Sequence, residues 1–517
     1  MSGLDSLPSL LLCRGFWAAA FGILVITYIV YTIVNNLFLS PLSRFPGPKL
    51  WAISRIPSQV SVLRGHSHLD ITKLHEVYGP VVRIGPDELV FNAPGAFRDI
   101  YGFRPGQRTF LKDRNHYIPP ANGVDHLFCA VDSEVHARQR KLLSYAFADR
   151  ALKDQESLIT NYVDLLIEKL REKTVKARNE RKPDVDIKSW MNYTTFDITG
   201  ELMFSESFHC LEESQLHPWV ELIFKSIKAL AIIGAVNQFP VISGILHKII
   251  PRSVIQKGVD HFNLGCEKVD RRLDNGSDKP DFISAMLKNS LSGKEGQYGE
   301  DEKIMSRAEL HSNAFILIIA GSETSATVLS GCIYYLCRHP TIMDRLVNEI
   351  RGTFTADSDI NFSKTPTLSY LAAVIEETLR MYPPVVTGLA RVPPAGGETV
   401  DGDFVPEGTT VSCHHYASYR SLSNFVLPNE FIPERWLGTD PRFDSDKKDA
   451  LQPFSLGPQN CLGKSLAYAE IRLILCKLLF HFDIELCPES VNWIDQEVYF
   501  LWDKPALMVN LTDRSVL

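Results

Sequence analysis

A mainly α-helical fold with a small β region, behind an N-terminal transmembrane helix, is what this sequence predicts. Three observations carry it. The stretch Phe16 to Val34 holds no charged residue and runs on through apolar residues to Leu39, and about 20 apolar residues cross the hydrocarbon core of a bilayer as a helix. Helical patterning recurs over Glu134 to Phe147, Ala308 to His339, Leu371 to Met381 and Lys464 to Phe482. Strand-like runs Val81 to Ile84 and Glu88 to Phe91 flank Gly85-Pro86-Asp87, which reads as a short β-hairpin.

The apolar span is longer than the core of a cleaved signal peptide and shows no clear small-residue cleavage site. Trp17, Tyr28 and Tyr31 are its candidate interface residues. Arg44, Lys49, Arg55 and Arg64 follow it, against Arg14 and Asp5 before it, so the positive-inside bias puts the bulk of the chain in the cytosol. Pro41, Pro46, Gly47 and Pro48 form a stiff hinge. The expected division is residues 1–39 as anchor, 40–50 as hinge and 51–517 as the folded domain.

Composition excludes several classes. A net charge of −7, from 61 acidic and 54 basic side chains, gives no footprint for nucleic acid. Ten scattered cysteines without a C-x-x-C pair point to a reducing compartment. No H-E-x-x-H, G-x-x-x-x-G-K-[ST] or G-x-G-x-x-G occurs, so zincin, P-loop and dinucleotide sites lack support. The sequons at Asn192, Asn275, Asn361 and Asn510 are then chance matches.

Beyond the hairpin, from Leu89 to Pro120, the pattern weakens into loop and short helix, and turn residues Pro119, Pro120, Asn122 and Gly123 mark a candidate flexible lid. In the helix from Glu134, His136, Arg138, Arg140 and Lys141 read in isolation as a solvated basic face. Ile223 to Ile250 is apolar and broken by Gly234, Pro240, Gly244 and Pro251, and is either core or an access region lying against the membrane. Gly276 to Asp301 reads as a surface loop with a short helix inside.

The helix from Ala308 is apolar on all sides over 314–320 and hence buried, then meets Gly321-Ser322-Glu323-Thr324. A helical glycine costs about 1 kcal/mol against alanine, and a buried glutamate needs a partner. The bland explanation is Gly321 for close helix packing and Thr324 back-bonded to the carbonyl of Ala320. In Leu371 to Met381, Glu377 and Arg380 share a face; on a helix this apolar they form a buried pair. Finally Pro453 to Lys464 presents a single cysteine, Cys461, before a long helix. Helix-end N–H groups favour its thiolate, and Gly457 and Gly463 let the backbone pass close to something bulky. By itself this supports a nucleophile, a redox thiol or a metal ligand, with a small buried residue as the commoner alternative.

The spacing of Phe454, Gly457, Cys461 and Gly463, F-x-x-G-x-x-x-C-x-G, resembles the heme-binding loop of the cytochrome P450 family. Ala320-Gly321-Ser322-Glu323-Thr324 resembles its oxygen-activation motif, Glu377-Thr378-Leu379-Arg380 its E-x-x-R, and Pro433-Glu434-Arg435-Trp436 its P-E-R-[FW]. Four such motifs in order, behind an anchor, extend the resemblance over residues 40 to 510, and from Leu389 through Trp436 and Phe454 through Leu486 the chain is similar to fungal members of the isotrichodermin C-15 hydroxylase type. It implies one helical prism, the cytochrome P450 fold, overriding the two or three domains that length suggests.

The resemblance further implies heme b with Cys461 as axial iron ligand, and Thr324 and Glu323, at the turn of Ala320 and Gly321, as proton carriers for oxygen activation. That turn is expected to be widened. His136 (where tryptophan is common), Arg140 and Arg391 are the implied propionate partners, Arg435 the third member beside Glu377 and Arg380. Val385, Val386, Thr387, Gly388, Leu389, Tyr499 and Phe500 are the implied substrate pocket. Arg138 and Lys141 are candidates for docking an acidic redox partner. The implied activity is oxygenation of an apolar secondary metabolite, a terpenoid or polyketide, at the endoplasmic reticulum membrane, with electrons from NADPH through a separate reductase. An isomerase or dehydratase of the same fold and a heme-free membrane scaffold are the alternatives. One position departs from the pattern: Gln459 stands where arginine is usual, and its neutral amide cannot make a charge-assisted bidentate contact, so weaker heme retention is expected.

Overall fold

The axis of the computed structural model is the helix Arg307–Arg338, whose start is fixed by Ser306 and Glu309 in a reciprocal capping box. The structure is described for residues 7–104, 108–176, 184–239, 244, 252–276, 279, 281–288 and 305–514. Most of the axial helix is buried, so its apolar length serves a protein core. Ile187–Phe204 lies along it, buried over nearly its whole length. The two approach closely where Gly321 meets Thr199: a Cβ on Gly321 would stand 3.3 Å from the Thr199 methyl. Asp149–Lys176, Ser369–Met381 and Lys464–His481 complete the layers around one main apolar core.

The β region sits to one side. A five-stranded sheet runs in the order Val81–Gly85, Glu88–Phe91, Thr410–Cys413, Arg391–Val392, Leu111–Lys112. All its pairs are antiparallel except the parallel pair of Glu88–Phe91 with Thr410–Cys413. At the far edge Lys112 pairs in register with Arg391. A second sheet joins Asp184–Asp186, Met508–Asp513 and Phe482–Leu486. A smaller apolar cluster, including Phe91, Phe97 and Tyr101, backs the first sheet.

The N-terminal helix Leu7–Val34 continues as a π-helical turn Asn35–Leu39. Phe16–Leu39 has a mean hydropathy of 2.1, is unburied, and is long and apolar enough to cross a membrane. Its end is fastened to the hairpin: the Arg83 guanidinium donates to the carbonyls of Asn36 (2.7 Å) and Pro86 (2.6 Å). Leu42 and Phe45, within the proline-rich stretch, are buried in the sheet-side cluster.

Two expectations change. The turn expected as a flexible lid is tied down, because the Asn122 amide donates to the Ala308 carbonyl (3.1 Å) and accepts from the Ser312 hydroxyl (3.0 Å). The region before it holds the helix Pro94–Tyr101 and the strand Leu111–Lys112. The axial helix runs unbroken through residues 320–325, with no widened turn. Of the apolar stretch 223–250, the helix Pro218–Asn237 is described, while residues 240–243 and 245–250 lie outside the described residues. Of the loop 276–301, the short helix Phe282–Lys288 is described and residues 289–301 lie outside.

Candidate active site

One cavity gathers most of the residues singled out in the sequence. Ala320, Gly321, Thr324 and Val328 of the axial helix form one wall, and the loop from Pro453 to Gly463 forms another. Lys112, Tyr117, His136, Arg140 and Arg391 make a polar end. Phe128, Phe147, Ile198, Leu202, Val385 and Leu389 make much of the remainder apolar, with Thr199, Ser325, His415 and Glu470 also on the wall.

The cysteine loop is held in shape by its own backbone. The Cys461 N–H donates to the Phe454 carbonyl (2.8 Å) and the Asn460 N–H to the Gly457 carbonyl (3.2 Å). Gly457 adopts φ of 67°, and a Cβ there would stand 2.2 Å from the Tyr101 carbonyl oxygen; only glycine fits. Gly463 is different. Its φ is −86° and its hypothetical Cβ makes an ordinary contact with Phe147, so the protein's own atoms do not require glycine there. The accessible surface of Cys461 faces the cavity, yet protein surrounds the thiol. Burial pushes its pKa up, outweighing the Gly463 N–H, Arg140 and Lys464. The helix-end environment therefore does not create a thiolate unaided; direct coordination of a metal ion would deprotonate it.

At the polar end, Arg140 donates to the Asn460 carbonyl (2.7 Å) and to its side-chain oxygen. Arg391 donates to the Tyr117 hydroxyl (2.7 Å) and packs over the rings of Tyr101 and Tyr117. His136 is buried, and desolvation with the neighbouring Lys112, Arg140 and Arg391 pulls its pKa down to about 4, so the imidazole is neutral. Gln459 lines the cavity, its Oε1 buried and without a partner. Lys112 was not singled out in the sequence; a lone lysine in a two-residue strand carries no periodic signal.

On the axial helix, Thr324 donates to the Ala320 carbonyl (2.7 Å), the back-bonded arrangement, and its oxygen lone pairs face the cavity. Glu323 does not line the cavity. It is buried and ion-paired with Lys504, whose ammonium also donates to the Thr327 hydroxyl (2.6 Å). Desolvation pushes the Glu323 carboxyl up and the Lys504 amine down, each opposed by the other's charge. No sequence signal links the two, 181 positions apart.

The charge network behind the cavity is complete. Glu377 accepts from Arg380 Nε (2.8 Å) and Nη2 (2.7 Å), Arg435 Nε (3.1 Å), the Ile432 N–H (2.8 Å) and Trp436 Nε1 (2.9 Å). Arg435 also donates to Asp446 (2.5 Å), which the sequence reading missed. Burial resists ionisation of Glu377, but Arg380, Arg435 and the Ile432 N–H outweigh it and hold the carboxyl below its ordinary value.

The proposed substrate segments divide. Val385 and Leu389 face the cavity. Val386 points instead into the main core, Thr387 spends its carbonyl on His415 (2.8 Å), and Gly388 abuts Ser412. Tyr499 and Phe500 are outside the wall: Tyr499 bonds Glu497, and Phe500 is half-exposed against Phe128. Arg138, offered as a docking residue, is paired with Glu309 of the axial helix, whereas Lys141 is exposed.

The sequence that builds this site matches known proteins. The family model "Cytochrome P450" matches residues 45–511. Similar proteins include the cytochrome P450 monooxygenase astJ of Aspergillus oryzae, 44% identical over 94% of this chain and 95% of the relative. The averantin hydroxylase of Dothistroma septosporum is 42% identical (94% and 89% covered), and the trichothecene C-15 hydroxylase of Fusarium sporotrichioides 42% (95% and 96%). With the family model spanning most of its length and relatives of this identity covered nearly end to end, the chain belongs to the cytochrome P450 family and is a monooxygenase.

Proposed function

We propose that this chain is a membrane-anchored monooxygenase that binds heme b through Cys461 and oxygenates an apolar secondary metabolite, taking electrons from an NADPH-dependent reductase at the endoplasmic reticulum. The observation that carries it is that Cys461 and Thr324 line one apolar cavity with a cationic end. Family membership implies a heme-thiolate centre, and the residues present suit it. The thiol suits an iron, the apolar walls a macrocycle, and Arg140 and Arg391 its carboxylates. When bound, the heme supplies O₂ binding and insertion of one oxygen atom.

The remaining roles belong to side chains. His136, Arg140 and Arg391 orient the cofactor. Phe128, Ile198, Leu202 and Val385 select an apolar substrate and exclude water. Thr324 presents its hydroxyl lone pairs to the cavity and passes a proton there, its own O–H resting on Ala320 until needed. The network of Glu377, Arg380, Arg435 and Asp446 ties the helix Ser369–Met381 to residues 419–446, the stretch that precedes the Cys461 loop. Residues 1–39 serve as the anchor, 40–50 as its hinge and 51–517 as the catalytic domain, facing the cytosol. The sources of the three relatives favour a fungal terpenoid or polyketide as substrate.

The test is the reduced, CO-bound spectrum of the purified full chain, followed by turnover with a reductase on candidate metabolites. A thiolate-ligated Soret band and product that requires both NADPH and O₂ are expected. Product formed with neither present would favour an isomerase or dehydratase, and a folded protein without the band would favour the heme-free scaffold.

A further inference from the structure

Of the two acids beside this part of the axial helix, Glu323 and Glu470, only one borders the cavity. Glu323 is turned to Lys504, whereas Glu470, on Lys464–His481, shares the wall with Thr324 and Ser325. Glu470 is buried at 3% exposure, and its Oε1 has no hydrogen-bond partner. Among the described residues, the Ser325 hydroxyl alone favours its charged form. The charges on the elements packed around it are directed elsewhere: Lys504 to Glu323, Lys464 and Arg472 to Glu376, Lys477 to Asp164 and Asp357, Arg351 to Asp483. An unpaired buried carboxylate is costly, so burial pushes the group up to about 8 and it is a neutral acid at pH 7.

Packing does not ask for an acid at this position. Its neighbours Ala469, Ile471, Leu473 and Ile474 are buried and apolar, and an aliphatic side chain or a glutamine would fill the place with no proton to hold. Ser325 is equally particular. Ser322, Thr324, Thr327 and Ser330 each donate to the carbonyl four residues earlier in the axial helix. Ser325, buried among them, makes no such bond among the described residues, and its hydroxyl is directed at Glu470 instead. A hydroxyl both donates and accepts, so it can receive a proton on one side as it gives one on the other.

Resting on the heme-thiolate reading above, we propose that Glu470 is the proton-holding acid of the cavity, supplying the wall beside Thr324 through the Ser325 hydroxyl. In that step Glu470 gives its proton to the Ser325 oxygen while Ser325 releases its own hydroxyl proton into the cavity. No electrons move, the serine is unchanged, and the carboxylate left behind regains a proton from water that enters as product leaves. Glu470 acts through Ser325, so it positions and stores a proton and does not touch the reacting atoms. This route leaves the Glu323–Lys504 pair intact.

The experiment uses the full chain in detergent. Its first arm needs no cofactor: the infrared carbonyl band of a protonated carboxyl, taken as the difference between the unaltered chain and Glu470→Gln, is expected at pH 6 and should vanish with a midpoint near pH 8. The second arm adds heme, reductase, NADPH and O₂ without substrate, and measures hydrogen peroxide formed per NADPH. Glu470→Gln, which keeps the shape, and Ser325→Ala should each raise that yield about threefold, with Glu470→Asp within about twofold of the unaltered chain. The unaltered yield should climb as pH passes 8, and that of Glu470→Gln should stay level. No carboxyl band at pH 6, or equal peroxide yields in the unaltered chain and Glu470→Gln, would overturn the proposal. So would a rise in Glu470→Gln that Ser325→Ala does not share, which would make Glu470 a packing residue only. If the unaltered chain has the carboxyl band but takes up heme without a thiolate-type spectrum, the heme-thiolate reading fails and the proton-holding state of Glu470 stands.

Discussion

Replacing Glu377 by glutamine tests whether the buried charge network is what holds the cysteine-bearing half of the protein together. Glu377 accepts five donors and its side chain, like those of Arg380, Arg435 and Asp446, is fully buried. With two arginines against two carboxylates the network is neutral; Glu377→Gln leaves it with one uncompensated buried positive charge. The new amide also points N–H groups at donors. Breaking a buried pair in this way costs about 3–5 kcal/mol, a large part of a typical total of about 5–15 kcal/mol. With a urea dependence of about 2 kcal/mol per molar, the first unfolding midpoint should fall by roughly 2 M, followed by tryptophan fluorescence on the full chain. Asp446→Asn should cost about half as much, because Asp446 accepts only from Arg435 and the Val426 N–H. A pH signature accompanies this. The carboxyl of Glu377 is held below its ordinary value of 4.5 in the folded state, so its contribution is present above that value and is lost as pH falls through the folded value. The gap between the unaltered protein and Glu377→Gln should therefore narrow in acid. A midpoint shift under about 0.3 M at pH 7, or a gap that widens in acid, would refute the reasoning.

Three further outcomes follow. Burial, only partly offset by a hydrogen bond to Ser325, pushes Glu470 up to about 8 from 4.5; its folded-state value is raised, so stability is full below about 4.5 and declines as pH rises toward 8. Glu470→Gln should flatten that decline and gain on the order of 4 kcal/mol at pH 8, about half of it arising between pH 6 and 8, read from melting curves at those two values; parallel curves for the two proteins would contradict it. Thr324→Ala removes the hydroxyl that faces the cavity and should lower product formed per NADPH about tenfold, with hydrogen peroxide making up the balance and Thr324→Ser retaining most product; unchanged coupling would exclude Thr324 from proton delivery. Lys504→Met strands Glu323 in the core and should cost about 3 kcal/mol, whereas adding Glu323→Gln should recover much of that loss; a double variant no better than the single one would show that the two do not act as a pair.

What the sequence made legible was local. The helix expected over 308–339 is found at Arg307–Arg338 because a capping signal and an apolar run fix both its start and its burial. The cysteine loop was readable because Gly457 meets a steric need that only glycine satisfies. Side-chain direction within a segment was not readable. Val385 and Val386 are neighbours of the same type, yet one faces the cavity and the other the core, since the turn after Ser369–Met381 is irregular and has no period to count. Long-range charge pairing was equally hidden: Asp446 and Lys504 each act through a partner brought near by the fold, and no spacing rule predicts such a meeting.

The placement of Glu323 has a consequence for how Thr324 is supplied with protons. Successive residues on an α-helix are turned about 100° from one another, and here Thr324 and Ser325 border the cavity while Glu323 does not. Thr324 shares its face with Ala320 and Val328, all on the cavity wall. Glu323 points instead toward Lys504, in the segment that leads into the strand Met508–Asp513. In this arrangement its carboxylate ties the C-terminal segment to the axial helix, and one of its oxygens, Oε2, has no hydrogen-bond partner. A relay from Glu323 to Thr324 then requires either the carboxyl to rotate away from Lys504 or water to bridge the difference in face. The first route gives up a buried ion pair, and the second needs no such loss but asks for polar space beside an unbroken, tightly packed helix. Gly321 and Thr199 approach closely yet both border the cavity, so the two routes differ in whether the Lys504 pair is given up.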